Sequence, residues 1–165
     1  FKDNGKPFQT LQEGKIVSDF HALKQDYERT KSAAVILEVI DQNVFDVDDH
    51  KPIYDEMYRA LNAHDIHLSS LSFCVKMMRV FGFGLNLKPD GRIIKGVSIE
   101  TGGLIYEGES NRADLDTKEA LELLNLVLKP YDALEAIPQD RVKRIKIFIL
   151  KYYQYHLQTT LKNLQ

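Results

Sequence analysis

Leu71-Ser72-Phe73-Cys74-Val75-Lys76-Met77-Met78-Arg79-Val80-Phe81-Gly82-Phe83-Gly84-Leu85-Asn86-Leu87 is the stretch on which the reading of the fold turns. Its apolar residues, Leu71, Phe73, Val75, Met78 and Val80 among them, read as a helix, and Ser69 or Ser70 supplies an N-cap. Phe81-Gly82-Phe83-Gly84 then stops it, because a helix commonly ends where a glycine takes up a left-handed conformation. The chain shows no internal repeat, low-complexity run or flexible linker, so this helix and those around it should share one core.

Working outward, Ser18 to about Gln42 predicts a long helix, with Phe20, Leu23, Tyr27, Ala34, Leu37, Val39 and Ile40 at spacings of three, four and seven. Asp46 to His50 supply polar cap residues, and Pro52 fits the first turn of a second helix through Ile53, Met57, Tyr58 and Leu61 to near His64. Beyond Gly84 the period changes. Asn86 to about Arg112 breaks into short β-type pieces at Asp90-Gly91, Gly96 and Gly102-Gly103, with Arg92-Ile93-Ile94 and Leu104-Ile105-Tyr106 as the apolar parts, which predicts a small inserted β-ribbon. Asp116 or Thr117 caps a fourth helix through Leu121, Leu124, Val127 and Leu128, ended by Pro130. Pro138 opens a fifth through Ile145, Phe148, Ile149 and Tyr152, and Tyr155 to Gln165 continue or closely follow it. The fold class is mainly α: a helical bundle with a small β-ribbon.

The 165 residues are 44% apolar and 28% charged, as expected of one globular domain. No apolar run approaches the roughly 20 residues that cross a bilayer, and Phe1 to Lys6 do not read as a signal peptide, so a cytoplasmic protein without a membrane partner is expected. A single cysteine, Cys74, precludes an intrachain disulfide and a zinc site of several thiolates, and its apolar setting reads as a buried hydrophobe. The net charge of −2 conceals an asymmetry: residues 141–165 sum to +6 and residues 1–140 to −8. A basic end on an acidic body predicts one face that meets an anion.

Three segments, in order along the chain, carry a resemblance to a known family. They are Thr10-Leu11-Gln12-Glu13 with Ile16, Val17, Phe20, Leu23 and Tyr27; Leu71-Ser72-Phe73 through Leu87; and Tyr155-His156-Leu157 with Leu161-Lys162-Asn163. Together they resemble the C-terminal part of RecO, the bacterial recombination-mediator and DNA-annealing proteins. The resemblance implies that residues 1–17 are the exit from an N-terminal oligonucleotide-binding (OB-fold) barrel, too short to form the barrel itself. It further implies that residues 18–165 are the helical domain, with the ribbon at about 86–112. It implies DNA repair and recombination without catalysis, single- and double-stranded DNA, RecR and the acidic, Phe-ended tail of single-stranded-DNA-binding protein as partners, and a nucleoid location. Many members carry four cysteines in the ribbon as a zinc site. Here those places read Lys88-Pro89-Asp90-Gly91 and Tyr106-Glu107-Gly108-Glu109, so a metal-free ribbon packed on Ile94, Ile105 and Tyr106 is expected, with no cofactor.

Arg141, Lys143, Arg144 and Lys151 on the fifth helix, with Lys162, are the candidate phosphate contacts. Tyr152, with Tyr153 and Tyr155, is a candidate for base stacking. Lys76, Arg79 and Arg141 are the candidate cations for the partner's carboxylate. Two readings compete with DNA contact: a helical protein-interaction scaffold, and a metal-dependent phosphohydrolase built on Asp46, Asp48, Asp49, His50, His64, Asp65 and His67. In the latter case the bland alternative is that the acids cap helices, with Asp48 or Asp49 at the second. Gly82, Gly84, Gly102 and Gly103 lack the strand-to-helix context and the Lys-Ser/Thr pair of a phosphate loop and read as turns.

Overall fold

Apolar periodicity, caps and prolines divide the chain into five α-helices and one hairpin among the residues that the computed structural model describes, 13–44 and 48–165, with side chains from residue 25. They are α1 (Glu13–Asn43), α2 (Lys51–Leu61), α3 (Ile66–Val80), β1 (Ile94–Ser98), β2 (Gly103–Tyr106), α4 (Thr117–Leu128) and α5 (Gln139–Leu157). The architecture is the predicted one, a helical bundle carrying a two-stranded antiparallel ribbon. Helix α3 is its centre, packed by α1, α2, α4 and α5.

Burial of α3 brings its polar atoms inside as well, and each finds a partner. The Ser69 hydroxyl donates to the Ala60 carbonyl at 2.7 Å, Ser70 to His67 at 2.8 Å and Ser72 to Leu126 on α4 at 2.6 Å. From α5, the Tyr153 hydroxyl donates to Cys74 O at 2.6 Å and Tyr152 to Phe83 O at 2.8 Å. An unpaired buried hydroxyl or carbonyl would cost about 1–3 kcal/mol. The serines expected to cap α3 therefore lie inside it. The N-cap is Asp65, whose carboxylate accepts from the His67 and Leu68 amides, so the helix begins one turn earlier than predicted. At the other end the predicted stop holds: Gly82 has φ +95°, and the Phe83 and Gly82 amides donate to Met78 O and Arg79 O, satisfying carbonyls that the helix leaves open.

Two faces differ from the sequence expectation. On α4 the buried face is Glu119, Ala120, Leu123 and Leu126, while Leu121 and Leu128 are exposed; on α1 Val35, Ile36, Val39 and Ile40 are buried, while Tyr27 and Leu37 are exposed. In both helices the apolar residues surround more of the axis than one packing face needs, so spacing alone did not select which side turned inward. Asp116 caps α4 as expected, in a reciprocal arrangement with Glu119. On α2 the N-cap is His50 without a side-chain bond, and Asp49 takes the Lys51 amide at 3.1 Å. Residues 13–17, expected in the exit from a barrel, are helical; residues 1–12 lie outside the described residues.

The ribbon pairs Val97 with Leu104 and Ser98 with Gly103, with a bulge between Ile94 and Gly96. Ile105 and Tyr106 are buried as expected and Ile94 is half-buried, whereas Ile93 is exposed. Its two connecting segments are tied by charge. Arg92 pairs with Asp90 at 2.7 Å and Glu109 at 3.6 Å and lies over the Tyr106 ring, while the Lys95 ammonium donates to Glu109 O and Asn111 O. Asp90 and Glu109 stand in the two segments where many family members carry cysteine pairs. We therefore expect prolonged chelation with EDTA to leave the thermal midpoint unchanged and elemental analysis to find no stoichiometric zinc.

Gly103 is enforced by close approach, since a Cβ there would lie 2.3 Å from Asn86 O, on a backbone that pairs with β2 through Leu104. Gly103→Ala is expected to lower stability by about 1–3 kcal/mol, the usual range for forcing an extra methyl into a packed site. The shift should show in a urea unfolding midpoint.

Candidate nucleic-acid interface

Pro138 opens α5 and sets its first turn, and 19 residues of helix then carry two chemically distinct faces. Ile145, Phe148, Ile149, Tyr152 and Tyr153 are buried. Lys143, Lys146, Ile147, Lys151, Gln154 and Tyr155 are exposed. Because the apolar residues seat one side, the cations between them are projected outward, and among the described residues Lys143, Lys146 and Lys151 form no ion pair.

The two arginines are placed differently. Arg141 Nη1 lies 2.9 Å from Glu122 Oε2, and Arg144 is bonded to both Glu119 oxygens, its Nη2 at 3.1 Å from Oε1. Glu119 is only 3% exposed and also accepts from the Asp116 amide. These hydrogen bonds, with the carboxylate charges, hold both guanidiniums more firmly protonated than usual. Arg141 and Arg144 thus clamp α5 to α4. Tyr152 is 1% exposed, and burial pushes its phenol up to about 12. It is a core residue, and the sequence expectation of base stacking by it is corrected; Tyr153 is likewise buried, and of the three only Tyr155 faces solvent. Lys162 lies away from this face, in a shallow groove with Leu37 and Tyr54, where its amide donates to Glu38 at 2.8 Å.

The expected partner cations also separate. Lys76, half-buried on α3, donates to Lys129 O at 2.6 Å and sits 3.9 Å from the centre of the Tyr131 ring; burial lowers its proton affinity. Tyr131 donates to Glu56 at 2.7 Å. Burial raises the Glu56 carboxyl, but bonds from Arg59 and Tyr131 and the nearby positive charges outweigh it, and the net direction is down. These residues line a groove of about 480 Å³ with exposed Tyr58 and Leu128 at its edge. Arg79 and Arg141 are not among its lining residues; Arg59 and Lys129, which sequence reading passed over, are.

The histidines and acids have separate structural roles. The His64 amide donates to Asp132 at 3.1 Å, Asp65 caps α3, and His67 Nδ1 meets the Ser32 hydroxyl at 2.8 Å. Among the described residues no three His, Cys, Asp or Glu side chains converge as a metal site; Asp46 lies outside them. Cys74 is fully buried, and burial pushes its thiol far above the ordinary range, which is the opposite of what a nucleophile needs.

Residues 24–165 match the family described as Recombination protein O C terminal. The chain belongs to this family. Membership in the recombination protein O family places it among proteins of DNA repair and recombination, and the helical domain with its small ribbon agrees with the match. No curated protein and no solved structure matches the chain. No helix among the described residues is long and apolar enough to cross a membrane. Lys146 was legible in the sequence as the i+3 neighbour of Lys143 on the exposed arc. Arg112 was not: it reaches the α5 surface from the loop before α4, beside Arg144 and Lys151, through tertiary packing.

Glu119 closes the capping box of α4 and anchors Arg144. Glu119→Ala should therefore reduce stability by about 1–2 kcal/mol, the range for a lost N-terminal cap. Chemical denaturation measures it.

Proposed function

We propose that this chain is a non-catalytic module of recombinational repair that holds DNA by its phosphates on the outer face of α5. The observation that carries this reading is the arc of Lys143, Lys146 and Lys151, exposed and without carboxylate partners among the described residues. Cations already paired to acids would have to give up that pairing to meet a phosphate, whereas these would not. Such contacts bind single and double strands without reading sequence, which suits a protein that brings complementary strands together. RecR and single-stranded-DNA-binding protein are the protein partners of this reading, within the cytoplasm at the nucleoid. The groove at Lys76 supports a docking site for the acidic, Phe-ended tail, because Tyr58 and Leu128 offer apolar surface beside Lys76, which forms no ion pair among the described residues, whereas Arg59 is held by Glu56 and Lys129 by Glu135.

The test is a titration of fluorescent single-stranded and duplex DNA at about 50 and 200 mM salt, with wild type and Lys143→Glu/Lys146→Glu/Lys151→Glu. Three phosphate contacts should weaken wild-type binding roughly tenfold or more between the two salts, and the triple variant should lose most of that dependence. Arg141 and Arg144 are left intact, since removing them would also loosen α4. Absence of wild-type binding would replace this reading with that of a protein-interaction scaffold.

A further inference from the structure

Lys151 and Arg144 belong to a stripe on α5 that continues through Phe148 to Tyr155, and beside its far end lie three more aromatic rings. Phe83 and Tyr155 are 42% and 55% exposed. Both lie against His156, with ring centres at 5.6 Å and 4.8 Å, and the buried Tyr152 ring supports His156 from within at 4.3 Å. A single exposed aromatic is ordinary, but rings gathered into one exposed patch mark an interaction surface. Here they are held in place by a backbone network: His156 Nε2 donates to Ile99 O at 2.6 Å, and the Tyr152 hydroxyl donates to the carbonyl of Phe83 itself.

Ile99 connects this cluster to charge. It lines a pocket of about 160 Å³ with Arg112, Asp114, Arg144, Phe148 and Lys151. Asp114 is occupied, its carboxylate accepting the Ile99 amide at 2.7 Å, and Arg144 is retained by Glu119. Nearby Glu100 takes the Asn111 amide group at 3.3 Å. Arg112 and Lys151 remain without ion pairs among the described residues, so the pocket presents two free cations. From Lys151 to Tyr155 is one helical turn, about 6 Å along the axis.

We propose that Phe83 and Tyr155, flanking His156, form a stacking subsite for an unpaired base of single-stranded DNA, with an adjoining phosphate in the pocket of Arg112 and Lys151. The inference rests on the DNA-binding reading of α5 and adds a preference to it. A phosphate-binding face alone treats single strands and duplex alike, but an aromatic platform needs a base whose face is free. The subsite therefore favours single strands over duplex.

The experiment uses the whole chain, an oligothymidylate carrying one 2-aminopurine, and a duplex of matched length. Wild type should stack the reporter and quench its fluorescence. Phe83→Ala/Tyr155→Ala should weaken single-strand binding roughly tenfold, within the range of one base–aromatic stack, with its salt dependence and the duplex affinity unchanged. Tyr155→Phe should retain single-strand binding when Phe83 is present, and Arg112→Glu/Lys151→Glu should lower both affinity and salt dependence. Thermal melts confirm that the variants fold. Salt-dependent wild-type binding that the double alanine variant retains in full, without reporter quenching, overturns the stacking subsite and leaves the phosphate face standing. Failure of wild type to bind any DNA overturns both, and displacement of a bound acidic peptide but not of DNA from Arg112 and Lys151 would assign the pocket to a protein partner.

Discussion

Burial of α3 on nearly all sides is the constraint to which the rest of the structure answers. Nine of its residues are buried, from Ser69 through Val75 and again at Met77 and Met78. Each apolar side chain removed from water there contributes about 1.5–3 kcal/mol, but only if neighbours enclose it and its polar atoms are paired. Helices α1, α2, α4 and α5 supply the enclosure. Ser69, Ser72 and the tyrosines of α5 supply the pairing, so the same contacts that seal the core also set where α5 lies.

With α5 seated by its tyrosines and clamped by Glu119 and Glu122, its charges divide into two populations. Arg141 and Arg144 are bonded to the acids of α4 and serve the fold, whereas Lys143, Lys146 and Lys151 are exposed and form no ion pair among the described residues. The division follows from helix geometry. Lys143 and Lys146 stand on an arc turned away from the acids that hold Arg141 and Arg144, while Lys151, on the Arg144 stripe, lies about two turns further along and is paired with no acid among the described residues. A net basic segment is thereby converted into one cationic surface rather than a diffuse charge.

The ribbon shows a different solution to cross-linking a short insertion. A hairpin of this length is marginal by itself. Where family members with four cysteines would hold zinc, Arg92 joins Asp90 to Glu109 and covers Tyr106, and Lys95 gathers two carbonyls. One guanidinium, with planar donors and an aromatic face beneath it, makes several of the connections a tetrahedral ion would make. Asn86 adds backbone pairing on the other side, at the cost of admitting only glycine at position 103.

Local sequence is enough to specify the helical class, the number of helices, the ribbon and most element ends, because caps, prolines, glycines and apolar spacing act within a few residues of chain. The Gly82 stop, the Asp116 cap and the Pro130 and Pro138 boundaries are of this kind. It also determined that the C-terminal part is basic and that Cys74 is a core residue. Tertiary packing settled which atoms face each other across the chain: that Leu121 points outward, that Arg141 and Arg144 are taken by α4, that Tyr152 is buried while Tyr155 is not, and that Arg112 joins Lys151. Those outcomes depend on how α5 is rotated against α3 and α4. That rotation is set by the summed packing of residues far apart in sequence, and no local pattern encodes it.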